Sequence, residues 1–158
     1  MEIRVFTSTA HPGEAARSLT YTRWFGRPLA ICMLPLMIAA LVAALQGFPA
    51  LPFLVFGAPT AFLVATAWTH HRMHITLAEV HVGEEAAAVF SVWDCTRPVR
   101  VIDWRPVLDL RHSRSSLTLT LGDTSYSLDA EAWPALDDLL ADLKEARDCY
   151  FSRPHPLP

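Results

Sequence analysis

The chain has 158 residues, 52% of them apolar and 18% charged, and a formal net charge of −3. That length allows one domain and a short addition, the apolar fraction excludes a disordered or collagen-like chain, and three cysteines are too few for a disulfide-stapled secreted scaffold. The mean hydropathy of +0.25 averages two unlike parts, because residues 28–71 contain no Asp, Glu, Lys or Arg while both flanks are charged as soluble proteins are.

Residues 1–27 carry four Arg against two Glu and read as a cytoplasmic N-terminal segment. Within them Glu2-Ile3-Arg4-Val5-Phe6 alternates polar and apolar residues, which predicts a short strand joining a downstream sheet. His11-Pro12-Gly13 ends it, and residues 14–24 predict an interfacial helix leading into a first span.

Residues 28–69 form a two-helix transmembrane hairpin on this reading. Pro28 to Leu45 and Phe48 to Trp68 are apolar runs of eighteen and twenty-one residues. Each is long enough to cross roughly 30 Å of hydrocarbon at about 1.5 Å per residue. Gln46-Gly47-Phe48-Pro49 supplies the turn between them. A pair of soluble core helices would keep a polar face, and these runs have none. Their position and length argue against a cleaved signal peptide. Arg17, Arg23 and Arg27 precede the first span and Arg72 follows the second, while the turn is uncharged, so the positive-inside rule puts both termini in the cytoplasm. Tyr21, Trp24, Phe25 and Trp68 sit where aromatic rings anchor at the interface, with Arg23, Arg27 and Arg72 beside them. Pro35 and Pro59 predict kinks. Gly57-Ala58 and the alanines at 39, 40, 43 and 44 offer small surfaces, either for hairpin packing or for a docking partner.

Residues 70–148 change to period two. Ile75, Leu77, Val80 and Val82 predict one strand and Ala87 to Trp93 the next, turning at Gly83-Glu84. Cys95-Thr96-Arg97-Pro98 breaks the pattern, Val99 to Trp104 predicts a third strand, and Pro106 separates it from a fourth at Val107 to Arg111. Leu117 to Leu121, Gly122-Asp123 and Ser125 to Leu128 form the clearest hairpin. A helix follows, with Asp129 as cap, Glu131 in its first turn, Pro134 near its start and Trp133, Leu136, Leu140 and Leu143 on one stripe. Residues 149–158 read as an irregular tail. The fold class is therefore a membrane helical hairpin plus an α+β cytoplasmic domain, an antiparallel sheet or partly open barrel capped by a C-terminal helix.

This order resembles the bacterial membrane-anchored pleckstrin-homology-like proteins. The resemblance covers roughly residues 17–147. It is carried by His74-Ile75-Thr76-Leu77 just beyond the second span and by the Leu117 to Leu128 hairpin running into the helix at Trp133 to Leu143. It implies a PH-like, partly open barrel at the bacterial inner membrane, a fold that binds partners or membrane surfaces and is not known for catalysis.

Nucleotide-binding glycine patterns, GxSxG, HExxH and CxxC are all missing from the sequence. Cys32, Cys95 and Cys149 read as free thiols, with a site pairing Cys95 and a neighbouring base as the sharper reading. His70, His71, His74 and His81 fall within twelve residues. His70 and His74, four apart, would share a helix face at a spacing suited to a metal or haem. The plainer reading is an interfacial cluster that joins Arg72 at anionic headgroups and gains charge below about pH 6.5. Glu79 is the one acid near it. Glu84-Glu85 and Asp137-Asp138 read as solvated faces. Arg97, Arg100, Arg105, Arg111 and Arg114 form a basic stretch suited to an acidic partner or anionic lipid. The acidic balance of the domain argues against nucleic acid. Trp93 and Trp104 read as core residues or contact anchors. The expectation is a non-enzymatic accessory or assembly subunit, without cofactor, that docks on a larger membrane protein complex. The alternatives are a lipid or ligand sensor and a metal- or haem-handling protein using His70 and His74.

Overall fold

The computed structural model describes residues 3–153. The chain divides into two units, Glu14–Ile75 and a second built from both of its flanks, Met1–Gly13 with Thr76–Pro158. The first thirteen residues group with the sheet, and the helical unit begins at Glu14.

The helical unit contains α1 (Arg17–Leu45) and α2 (Leu51–Ile75), both long and apolar enough to cross a membrane. The helix expected at residues 14–24 and the first apolar run are one continuous element, and the second helix runs past Trp68 through the histidines. The turn between them is a Schellman motif. Gly47 takes a positive φ of 78°, Gly47 N–H donates to Ala44 O at 3.1 Å, and Phe48 N–H donates to Ala43 O at 2.9 Å. The helices meet through small residues, Ala40 and Ala43 on one and Ala61 and Ala65 on the other. Gly57 leaves room for the Leu36 side chain, which a Cβ at that position would strike. Phe25 packs edge-on against Phe62 at 5.2 Å. The outer surface is apolar, with Phe56 75% exposed and Leu41, Leu45 and Leu63 also outward. Even the hydroxyls turn back on the helix: Thr60, Thr66 and Thr69 each donate to the carbonyl four residues earlier at 2.8 Å.

The second unit is an open six-stranded antiparallel sheet in sequential order, with a C-terminal helix. Its strands are β1 (Arg4–Thr7), β2 (Leu77–Val82), β3 (Ala86–Ser91), β4 (Arg105–His112), β5 (Ser116–Leu121) and β6 (Thr124–Asp129). The strand expected at residues 2–6 is β1, paired with β2 so that Thr7 faces Glu79 and Arg4 faces Val82. The hairpins at Gly83 and at Gly122-Asp123 form as the alternation predicts, Gly122 taking the positive φ its turn requires. β3 and β4 touch only at Ala86–Pro106 and Ala87–Arg105, so the sheet splays there. That opening accommodates Pro106 inside β4, where the sequence suggested a break. Val80, Val82, Leu117, Leu119, Leu121 and Leu128 form the core, closed by Leu136, Leu139, Leu140 and Leu143 of α4 (Leu136–Ser152).

Several expectations fail locally. Val99 to Trp104 forms no strand, and the strand ending at Trp93 stops at Ser91, because Ser91 and Asp94 make a capping box that starts a short helix, α3 (Val92–Cys95). Asp129 caps only a 3-10 turn, Ala130–Ala132, accepting from Glu131 N–H at 3.1 Å. Pro134 holds Trp133 extended (φ −121°, ψ 91°), which separates that turn from α4, whose first residue is Leu136. The tail remains helical through Ser152, and residues 154–158 of that expected irregular segment lie outside the described residues.

Candidate functional site

Beyond the register shift between Leu77 and Glu79, alternation along β2 sends Val80 and Val82 to the core face and Glu79 and His81 to the other. On that second face the side chain of Glu79 is only 7% exposed, which no carboxylate tolerates without partners. Four chain segments supply them. His81 Nε2 lies 2.5 Å from Oε1, and Arg100 Nη1 donates to Oε2 at 2.6 Å. Cys95 Sγ donates to Oε2 at 3.4 Å, and His11 Nε2 lies 3.4 Å from the same oxygen. Arg100 also donates from Nη2 to the Cys95 carbonyl at 3.3 Å. Phe90 and Trp104 wall the His81 ring at 4.8 and 6.5 Å.

Burial alone would raise the Glu79 pKa. The hydrogen bonds from His81 and Cys95 and the charge of Arg100 outweigh it and hold the carboxyl below its ordinary value of 4.5. Cys95 moves the other way. Burial, its hydrogen bond to Glu79 and the nearby negative charge push the thiol up to about 12. A thiol held protonated is not a nucleophile at neutral pH, so the neighbouring carboxylate quiets Cys95 and does not activate it.

Metal binding can be tested against the same geometry. Among the described residues, His11, Glu79 and Cys95 bring one ligand atom each within 4.8 Å of one another, a set that soft divalent ions favour. Two observations oppose it. Arg100 already holds the shared Oε2, and His11 Nδ1 accepts Gly13 N–H at 3.0 Å, which assigns the ring proton to the Nε2 that faces Glu79. The donors fit a carboxylate better than a cation.

The residues singled out in the sequence are dispersed. His70 and His74 do share a face of α2, their rings 4.5 Å apart edge to face. His81 belongs to the sheet and not to that group. Arg72 lies over the Trp24 ring at 5.6 Å, while Arg23, Arg27 and Trp68 are exposed on their helices. Of the five arginines, Arg100 turns inward, Arg105 pairs with Asp103 and Asp123 at 2.8 and 2.9 Å, and Arg111 pairs with Asp109 at 2.9 Å. Arg97 and Arg114 are exposed. The cluster centred on Glu79 was not assembled from the sequence. Its signal was a charged residue standing between alanine and valine in an otherwise apolar strand, two residues before a histidine.

No family model matches this chain, and no curated protein or solved structure matches it. The fold itself defines the class: an apolar two-helix hairpin inserted in sequence between two paired strands of an open antiparallel sheet, with a buried, charge-paired carboxylate that the β3–β4 connection reaches through Arg100.

Proposed function

We propose that the chain is an integral membrane protein of the bacterial inner membrane, whose hairpin crosses the bilayer twice and carries a PH-like domain at the cytoplasmic face. It acts as a non-enzymatic accessory subunit that docks on a larger membrane protein complex. The observation that carries this reading is the pairing of β1 with β2. These strands lie on either side of the hairpin in sequence yet are neighbours in one sheet, so helices that cross the membrane must return the chain to the face it left. The outward apolar surface of α1 and α2 supports insertion, because it faces no protein core. Arg17, Arg23, Arg27 and Arg72 favour the cytoplasm for both ends. Docking is favoured over anionic-headgroup sensing, because Arg100, Arg105 and Arg111 already have carboxylate partners.

Two measurements test it. With Cys32 removed, a membrane-impermeant maleimide should label Gln46→Cys in spheroplasts and Cys149 only in inverted vesicles; labelling of both from one side would defeat the two-span topology. Purification in mild detergent should give a stoichiometric larger assembly, and a lone monomer or homodimer would defeat the accessory role.

A further inference from the structure

The connection between β3 and β4 is apolar where it faces outward. Val99 and Val101 are 77% and 86% exposed and Ile102 is also outward, while Arg100 between them points in to Glu79. Water favours the reverse order, with the apolar side chains hidden and the charge outside. The inversion is locked, since Arg100 is tied to Glu79 and to the Cys95 carbonyl, and Trp104 sits near His81. The valines cannot turn inward without parting Arg100 from the buried Glu79 carboxylate. Arg97, exposed, flanks the apolar tip.

Connectivity indicates what covers it. Val92 N–H, where the connection begins, donates at 2.9 Å to the carbonyl of Thr76, the first residue after α2. On the other side of the hairpin, Ser8 N–H donates to Ala78 O at 2.8 Å and His11 reaches Glu79. Both chain segments that lead into the hairpin therefore lie at the end of the sheet where this connection begins, and Arg100 within it reaches back to Glu79, the third residue of β2.

We propose that residues 96–104 insert the Val99, Val101 and Ile102 side chains into the headgroup–acyl boundary of the bilayer that holds the hairpin. Arg97 meets anionic headgroups, and the sheet unit is thereby fixed on the membrane surface. This rests on reading α1 and α2 as membrane spans. The occupant is lipid; the Glu79 cluster is the positioning device that presents the apolar tip.

The test uses the full-length chain with Cys32→Ala and Cys149→Ser, leaving the buried Cys95 in place. A polarity-sensitive fluorophore is attached at Val101→Cys, at Leu63→Cys in α2, or at Ser125→Cys on β6. The protein is reconstituted in phosphatidylcholine vesicles containing phosphatidylglycerol, with or without lipids brominated at shallow acyl positions. The Leu63 and Val101 labels should be blue-shifted and lose roughly half their emission to the brominated lipid, as expected for groups at acyl-chain or boundary depth, and the Ser125 label should not. A quenched Leu63 label beside a water-like, unquenched Val101 label overturns the loop proposal and leaves the spans standing. An unquenched Leu63 label removes the spans, and the proposal with them. A blue-shifted Val101 label that brominated lipid leaves untouched means a protein covers the tip, which also overturns it.

Discussion

Glu79 occupies a strand position that packing alone would give to valine or alanine, and its partners come from the N-terminal segment, from β2 itself, from α3 and from the β3–β4 connection. The carboxylate therefore gathers parts of the chain that have no apolar reason to meet. Arg100 is the partner whose loss leaves a buried charge least compensated. Arg100→Ala should cost about 2 kcal/mol, lowering the thermal midpoint read by tryptophan fluorescence in micelles, whereas Arg105→Ala, at an exposed pair, should leave the midpoint in place. The pH dependence has a definite sign. Because the folded pKa of Glu79 lies below 4.5, its contribution is complete above that value and fades as pH falls toward the folded pKa, the unfolded chain taking up its proton first. The stability difference between the wild type and Glu79→Gln should therefore shrink on acidification below about pH 5; a difference that grew in acid would contradict the depressed pKa.

At the scale of elements, α3 shows how a few polar atoms redirect a segment. Ser91 Oγ accepts from Asp94 N–H at 3.2 Å, and the Asp94 carboxylate accepts from Ser91 N–H at 3.2 Å and from the hydroxyl at 2.6 Å. Ser91→Ala should cost about 1 kcal/mol. The double change with Asp94→Ala should cost less than the sum of the singles, since each removes the same reciprocal pair; strict additivity in a denaturation cycle would dissolve the box. This element also marks the limit of reading by alternation. Leu117 to Leu128 is legible because its turn glycine and its alternating leucines agree, and the hairpin helices are legible because residues 28–71, mostly apolar and without a charge, have few alternatives. Val99-Arg100-Val101 alternates just as well and forms no strand, because the sign of the alternation is set by a partner, Glu79, twenty-one residues away. Local period cannot report that. His81 is near His70 and His74 in sequence, but the end of α2 at Ile75 separates them. Trp133 fell on the helical stripe, yet the proline after it keeps it extended, and it is buried all the same.

At the scale of the whole chain, the hairpin is an insertion into the connection between two paired strands. Thr7 faces Glu79 across the β1–β2 ladder, and Ser8 N–H still reaches Ala78 O before the chain leaves. The sheet unit has its own core of valines and leucines closed by α4, and none of the side chains in that core comes from residues 14–75. It follows that residues 14–75 can be replaced by a short glycine-serine linker joining Gly13 to Thr76. Loop closure grows only logarithmically with length, so shortening this connection should not weaken the pairing it bridges. The excised protein should be soluble and unfold in one cooperative step, and Cys95 should stay unreactive to iodoacetamide until it does. Removing residues 3–13 from it as well should abolish that protection, because β1 shields the edge of β2 and His11 completes the donors on Glu79. An excised chain whose Cys95 alkylates at once would mean that the hairpin is needed to assemble the sheet, and the description of the helical hairpin as an insertion would fail.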